Sequence, residues 1–160
     1  MDTTTFHSLY QAHAADVFRF ARFLTGSTDA AEDIVSETFL RAWTGRDTVR
    51  VATAKAYLLA IARNLARDQW RRTRRWPGTP VPDRPVDANA ESALELTRTV
   101  EALQSLPVAY RDPLSLAASG LSYDEVGRVL GLPISTVKIR VHRARLMLAS
   151  AVSKSGRKSP

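Results

Sequence analysis

The sequence contains no cysteine. This absence excludes disulfide scaffolds, thiol nucleophiles and every zinc site with cysteine ligands. Only three histidines remain as soft metal ligands, and His7, His13 and His142 are scattered along the chain. We therefore expect no bound metal, no other cofactor and no catalytic residue of the cysteine or metal-dependent classes.

Long apolar runs are also missing. No window approaches the ~18 to 20 uninterrupted apolar residues of a membrane span, and residues 1–13 have neither the basic end nor the apolar core of a signal peptide. A length of 160 residues, 44% of them hydrophobic, allows one or two small domains with a real core. The sequence therefore predicts a cytoplasmic protein without a membrane span, and it leaves little room for a large enzyme.

Acidic residues are in the minority, and the basic excess is concentrated. Lysine and arginine number 23 against 16 acids, a net charge of +7. One basic cluster covers 63–75, where Asp68 is the one acid, and another follows Glu125, beyond which no acid occurs. Between them, residues 83–101 are mainly acidic. Clustered basic charge of this kind indicates nucleic acid as a partner.

Proline divides the chain. Four of the eight prolines fall within 76–90, a density that no helix or central strand tolerates. We expect an all-α protein of two small helical domains, over 1–75 and 91–150, joined by a flexible acidic, proline-rich linker over 76–90. A basic, disordered tail is expected over 151–160.

Apolar residues recur at three- and four-residue steps, which predicts helices over 4–25, 29–43, 55–75, 91–105 and 109–118. The helix over 55–75 has an apolar face on one side and a stripe of basic residues on the opposite side. The stripe consists of Arg63, Arg67, Arg71 and Arg74. One side of this helix should pack on its domain, while the other should form a basic surface.

Residues 120–148 predict a helix-turn-helix. Ser122 and Glu125 have capping-box spacing, Gly131 suits the end of the first helix, and Gly127 allows two helices to cross closely. Ser135 or Thr136 is expected to cap the second helix. In that helix the apolar stripe leaves four side chains pointing outward near the helix start, where a recognition helix contacts base edges: Lys138, Ile139, His142 and Arg143. Arg140 and Arg145 flank the stripe and are better placed to contact phosphates.

Three segments, in order and suitably spaced, resemble bacterial sigma factors of the extracytoplasmic-function type in the sigma-70 family. They are AEDIVSETFLRAW at 31–43, AYLLAIARNLARDQWRR at 56–72 and the stretch from LPVAYRDP to HRARLML at 106–148. The resemblance covers nearly the whole chain. It implies that 1–75 is the region 2 domain and 91–150 the region 4 domain, with no region 3 between them.

The resemblance implies a transcription initiation factor rather than an enzyme. It would bind core RNA polymerase at the β′ coiled coil and the β flap, direct it to promoters and help open the DNA. The matching core-polymerase residues are Asp33, Glu37, Phe39, Leu40 and Trp43. Ser36 stands where the family usually has glutamine.

Promoter contacts are also implied. Asn64 and Asp68 match the sites that read minus-ten bases, Tyr57 stands where the family often has tryptophan, and the arginine stripe would follow the backbone. For the minus-thirty-five element the matching set is Ser135, Thr136, Lys138, Ile139, Arg140, His142, Arg143 and Arg145. The loop over 44–56 contains no aromatic residue, so the residues that hold a flipped base stay open.

An anti-sigma factor is a further implied partner, which could hold the protein at the membrane. No small-molecule substrate is expected.

Two other functions compete with that of a transcription initiation factor. A stand-alone helix-turn-helix repressor or activator explains the second half but not the motif at 31–43. A recombinase or nuclease needs clustered carboxylates for a metal or an activated nucleophile, and the acids at 29–37 are explained by a helix cap and a partner surface.

Overall fold

Helices make up all the regular secondary structure in the part of the chain that this computed structural model describes, residues 2–45, 53–75 and 90–157. In chain order they are α1 (Thr3–Thr25), α2 (Thr28–Thr44), α3 (Ala54–Arg75), α4 (Ala90–Ser105), α5 (Val108–Ala118), α6 (Tyr123–Leu130) and α7 (Ile134–Arg157). The all-α prediction is confirmed for these residues.

Side-chain caps fix where the first two helices begin. The Asp2 carboxylate accepts a 2.7 Å hydrogen bond from the Thr5 backbone N–H, and this bond lowers the pKa of Asp2 below its ordinary value. Ser27 plays the same part for α2 and accepts from the Ala30 N–H. Each cap satisfies one of the backbone donors that a helix start leaves without an internal partner.

The first half of the chain, residues 2–75, packs α1, α2 and α3 against one another. Its centre is made of large apolar side chains that are almost completely buried. They are Phe20, Ile34, Leu58, Leu59 and Ile61. Because these positions recur at helical spacing, each helix presents one apolar stripe to the other two.

The second half, residues 90–157, packs α7 against α4, α5 and α6. Leu116, Val126, Val137 and Val141 are buried at its centre. These residues belong to the same continuous apolar cluster as the centre of the first half. The two halves therefore share one core.

Polar contacts also join the halves. The Gln104 side-chain amide on α4 donates to the carbonyls of Phe23 and Leu24 at the end of α1, at 3.0 and 2.8 Å. Arg63 on α3 forms an ion pair with Asp112 on α5. We call this joined state the closed arrangement.

Three expectations about boundaries need correction or lie outside the described residues. The tail was expected to be disordered from 151, but α7 continues to Arg157, because no proline or glycine interrupts the chain before Gly156. Ala90, placed in the linker, is already in α4, while 76–89 lie outside the described residues. Ser135 and Thr136 do not cap α7, since the helix begins at Ile134 and both lie in its first turn.

Candidate nucleic-acid interface

The turn between α6 and α7 is built by two glycines, as the sequence predicts. Gly131 ends α6 with φ at 69°, a left-handed conformation that costs glycine little. A Cβ on Gly127 would lie 2.6 Å from the Leu132 carbonyl oxygen, so only glycine allows the turn to approach α6 so closely. Val137 packs from α7 against the same point and is fully buried.

The start of α6 has the N-cap half of the predicted capping box. The Glu125 N–H donates to the Ser122 hydroxyl oxygen at 3.2 Å, and the two side chains also form a hydrogen bond. The second carboxylate oxygen of Glu125 accepts from Thr53 of the first half, at 3.0 Å. The helix-turn-helix is therefore fixed internally and is also anchored to the residues just before α3.

On α7, three buried side chains determine which face is outward. Val137, Val141 and Ala144 are fully buried, which leaves the opposite face in solvent. The exposed members of the predicted recognition set are Ser135, Lys138, Ile139, His142, Arg143 and Arg145, whereas Thr136 and Arg140 are half-buried. Ile139 is 52% exposed, an unusual position for isoleucine. An apolar side chain among cations suits contact with a thymine methyl group.

The outward side of α3 carries a second polar set. Arg67 and Arg71 are exposed, as the helical periodicity predicts, and so are Asn64 and Asp68, the two residues implied by the resemblance. Tyr57 is half-buried against the core. Arg74 lies in the last turn of α3, and its side chain is outside the described part, as are residues 46–52 of the loop expected to hold a flipped base.

Arg63 departs from the predicted stripe. Its Nε donates to Asp112 Oδ2 at 2.8 Å, and its side chain is only 16% exposed. The second half covers this end of the stripe. The prediction that Arg63 shares an open basic surface with Arg67 and Arg71 is therefore wrong for the closed arrangement, because the Asp112 side chain of α5 reaches Arg63 in the middle of α3.

An apolar surface lies on α1 and α2. Leu40 and Trp43 are 54% and 44% exposed, and Tyr10 of α1 is exposed beside them. Phe39, predicted to join this surface, is buried, and its ring contacts Phe6 and Tyr10 edge to face. The ring of Phe6 also contacts Trp43 edge to face, so an aromatic layer supports Trp43 from below.

The two predicted surfaces of the first half meet in a groove between α2 and α3. Asp33, Glu37 and Leu40 line one wall, and Asp68 lines the other. Ser36 lies in the same wall as Leu40. Sequence reasoning missed Tyr10, although its place on the edge of an apolar helical stripe was a signal for partial exposure.

No site for a metal ion is found in the described ranges, since they contain no group of three or more potential ligands. Among the described helices, none is both long enough and apolar enough to cross a membrane.

Taken with the helix-turn-helix, these faces define a helical protein of the nucleic-acid-binding class. Family models agree: residues 9–76 match Sigma-70 region 2 and residues 96–148 match Sigma-70, region 4. The chain is 35% identical to the ECF RNA polymerase sigma factor SigE of Mycolicibacterium smegmatis over 156 residues, which cover 91% of this chain and 61% of that protein. With SigL of Mycobacterium tuberculosis the identity is also 35%, covering 86% of this chain and 82% of the relative.

Solved structures give the same result. The sigma factor RpoE of Bartonella quintana, crystallised with the anti-sigma factor NepR, matches 94% of this chain and 98% of its own, with 29% identity and a TM-score of 0.78. CnrH in complex with the cytosolic domain of CnrY matches 96% of this chain and 90% of its own, with 26% identity and a TM-score of 0.73. The chain belongs to the extracytoplasmic-function sigma factors of the sigma-70 family, which are transcription initiation factors.

Proposed function

We propose that this protein binds core RNA polymerase and directs it to a set of promoters by contacting two DNA elements, with no catalytic activity of its own. The observation that carries the proposal is the face of α7. Its three buried residues hold Lys138, Ile139, His142 and Arg143 outward as one continuous row near the start of the helix. A row of this composition suits base edges in the major groove, which here is the minus-thirty-five element.

Polymerase binding is assigned to the surface of Leu40 and Trp43. Exposed large apolar side chains beside acids are typical of a protein-binding patch, and helix-on-helix contact with the β′ coiled coil fits the open face of α2. Asp33 is exposed next to this patch, and Glu37 forms an ion pair with Arg41. Phe39 supports the patch from below rather than touching the partner. The β flap is the proposed partner of the second half.

Minus-ten recognition is assigned to α3, with Asn64 and Asp68 on bases and Arg67 and Arg71 on the backbone. An amide can both donate and accept, so it can report base identity, whereas arginines repeated along one face can follow phosphates. Arg63 joins them only after its ion pair with Asp112 is broken. Promoter binding by both halves therefore requires the closed arrangement to open.

An anti-sigma factor is the proposed inhibitory partner. RpoE, which matches with a TM-score of 0.78, is a sigma factor in complex with an anti-sigma factor, and CnrH was likewise solved in complex with a protein, the cytosolic domain of CnrY. Because the match to RpoE spans 94% of this chain, the packing of both halves resembles that of an inhibited sigma factor. The place of action is then the bacterial cytoplasm, where polymerase and promoters are found.

The test is reconstitution. The purified protein alone should bind promoter duplex weakly, and adding core polymerase should yield transcripts from specific start sites. Tight binding to a palindromic site without polymerase would instead favour a stand-alone repressor or activator. As a matched control, the same preparation with Leu40→Ala should keep its helical content and lose transcription.

A further inference from the structure

A cleft of about 160 Å³ lies between α3 and α5, where the two halves meet. Its charged lining consists of Arg63, Arg67, Arg71, Arg111 and Asp112. Asp112 is already paired with Arg63. Within the described part of the chain, no carboxylate forms an ion pair with the other three arginines. The cleft is therefore strongly electropositive.

Arg111 is the most unusual of these side chains. It is only 9% exposed, and its Nε has no hydrogen-bond partner. A buried guanidinium N–H is rarely left without an acceptor, because removing it from water is costly unless an anion or carbonyl replaces the hydration. Arg111 lines the cleft, so an anion bound there could supply such an acceptor.

The rim of the cleft is apolar and partly aromatic. Trp70 of α3 and Val108 of α5 both line it and both are substantially exposed. The arginines that line the cleft are suited to phosphate groups. A base attached to those phosphates would lie at the rim, beside the indole of Trp70.

We propose that this cleft binds a phosphorylated nucleotide. Its phosphate oxygens accept hydrogen bonds from Arg67, Arg71 and Arg111, and its base stacks on Trp70. Arginine is well suited to this task, because its planar donors match phosphate oxygens in pairs. No bond is made or broken, so the site is one of recognition only.

The ligand acts as a bridge between the halves. Its phosphates contact α3 of the first half and α5 of the second, so binding stabilises the closed arrangement in proportion to ligand concentration. It also occupies Arg67 and Arg71. A bound nucleotide would therefore compete with promoter DNA for these two arginines. This competition rests on the proposed function, in which the arginines follow the promoter backbone. Nucleotide binding itself does not depend on that function.

Calorimetric titration of the full chain at constant ionic strength tests the site. With ATP as the probe we expect saturable binding. The affinity for AMP should be lower by at least about tenfold, because AMP forms fewer charge-assisted hydrogen bonds. Arg111→Gln should weaken ATP binding by about tenfold or more. The control is Arg19→Gln, which changes an exposed arginine on α1 and should leave affinity unchanged. Equal ATP affinity in Arg111→Gln and the unsubstituted chain would overturn the proposal.

Two further variants keep the test decisive. If Arg111→Gln fails to fold, Arg67→Gln replaces it, because Arg67 is exposed and its loss should lower ATP affinity several-fold. Trp70→Ala should weaken ATP by about fivefold or more and leave tripolyphosphate unaffected. Tripolyphosphate binding as tight as ATP, with no effect of Trp70→Ala, would show a general polyanion surface and contradict a nucleotide site. These measurements contain no polymerase, so their failure leaves the proposed function standing.

Discussion

Arg63 on α3 and Asp112 on α5 form a 2.8 Å ion pair that is largely shielded from water, with side-chain exposures of 16% and 5%. The two residues come from opposite sides of the linker. In the proposed function, Arg63 belongs to the row of α3 that follows promoter DNA, and its guanidinium cannot make that contact while it is paired with Asp112. The proposal therefore requires this ion pair to break before both halves contact DNA.

Asp112→Asn should loosen the closed arrangement. Removing one partner of a buried pair costs roughly 3–5 kcal/mol, and we expect about 3 kcal/mol, since asparagine keeps an acceptor and Arg63 keeps some access to water. Chemical denaturation measures the loss, and small-angle scattering should show a larger radius. Asp124→Asn is the matched control, because its pair with Arg128 is exposed and worth about 1 kcal/mol or less. Equal losses in both variants would contradict a special role for Asp112.

Gly127→Ala should destabilise the helix-turn-helix. The new Cβ would meet a backbone carbonyl at 2.6 Å, which cannot rotate away like a side chain, and overpacking of this kind costs about 1–3 kcal/mol. Thermal unfolding followed by circular dichroism gives the cost. The comparison is Gly131→Asn, where the added side chain meets open space and asparagine tolerates the left-handed backbone. A Gly131→Asn variant as unstable as Gly127→Ala would show that backbone conformation, not crowding, limits this turn.

Leu40→Ala should separate polymerase binding from folding. Because Leu40 is more than half exposed, its truncation should change stability by less than about 0.5 kcal/mol. A central interface residue typically contributes more than about 1 kcal/mol, so affinity for core polymerase should fall by at least about fivefold. Phe39→Ala should do the opposite and lose about 3–5 kcal/mol of stability. Unchanged polymerase affinity in Leu40→Ala would show that the polymerase interface lies on another part of the protein.

Lys138→Ala and Arg143→Ala should each cost about 1–3 kcal/mol at particular base pairs of the upstream element. Transcription from a library randomised in that element measures the change in sequence preference. Arg145→Ala, assigned to phosphates, should weaken every promoter by a similar factor. If the first two variants also lower all promoters equally, they contact the backbone and not the bases.

Local patterns predicted the features that depend on neighbours in the chain. The N-cap that Ser122 forms with the Glu125 N–H, the turn at Gly131 and the close approach at Gly127 all involve residues within a few positions of each other. Helical periodicity alone placed Lys138 and Ile139 outward. In each case, the sequence spacing is itself the physical cause of the geometry.

Contacts between the halves could not be predicted in this way. Asp112 is 49 positions from Arg63, and nothing in the local pattern of α5 distinguishes it from a solvated aspartate. The buried Arg111 follows the same rule, because the side chains that line the same cleft, such as Leu24 of α1 and Arg63 of α3, are far from it in the chain. The start of α7 was misjudged for a smaller reason: the helix begins directly after Pro133, so the serine and threonine that resemble caps lie within its first turn.

The amide of Gln104 has a consequence for biosynthesis. It caps carbonyls of α1 that lie 80 and 81 positions earlier in the chain. At about 5–20 residues per second, roughly 4–16 s of translation separate the end of α1 from its cap. Until then those carbonyls depend on water. The nascent first half is therefore left incomplete at one helix end until α4 of the second half has been made.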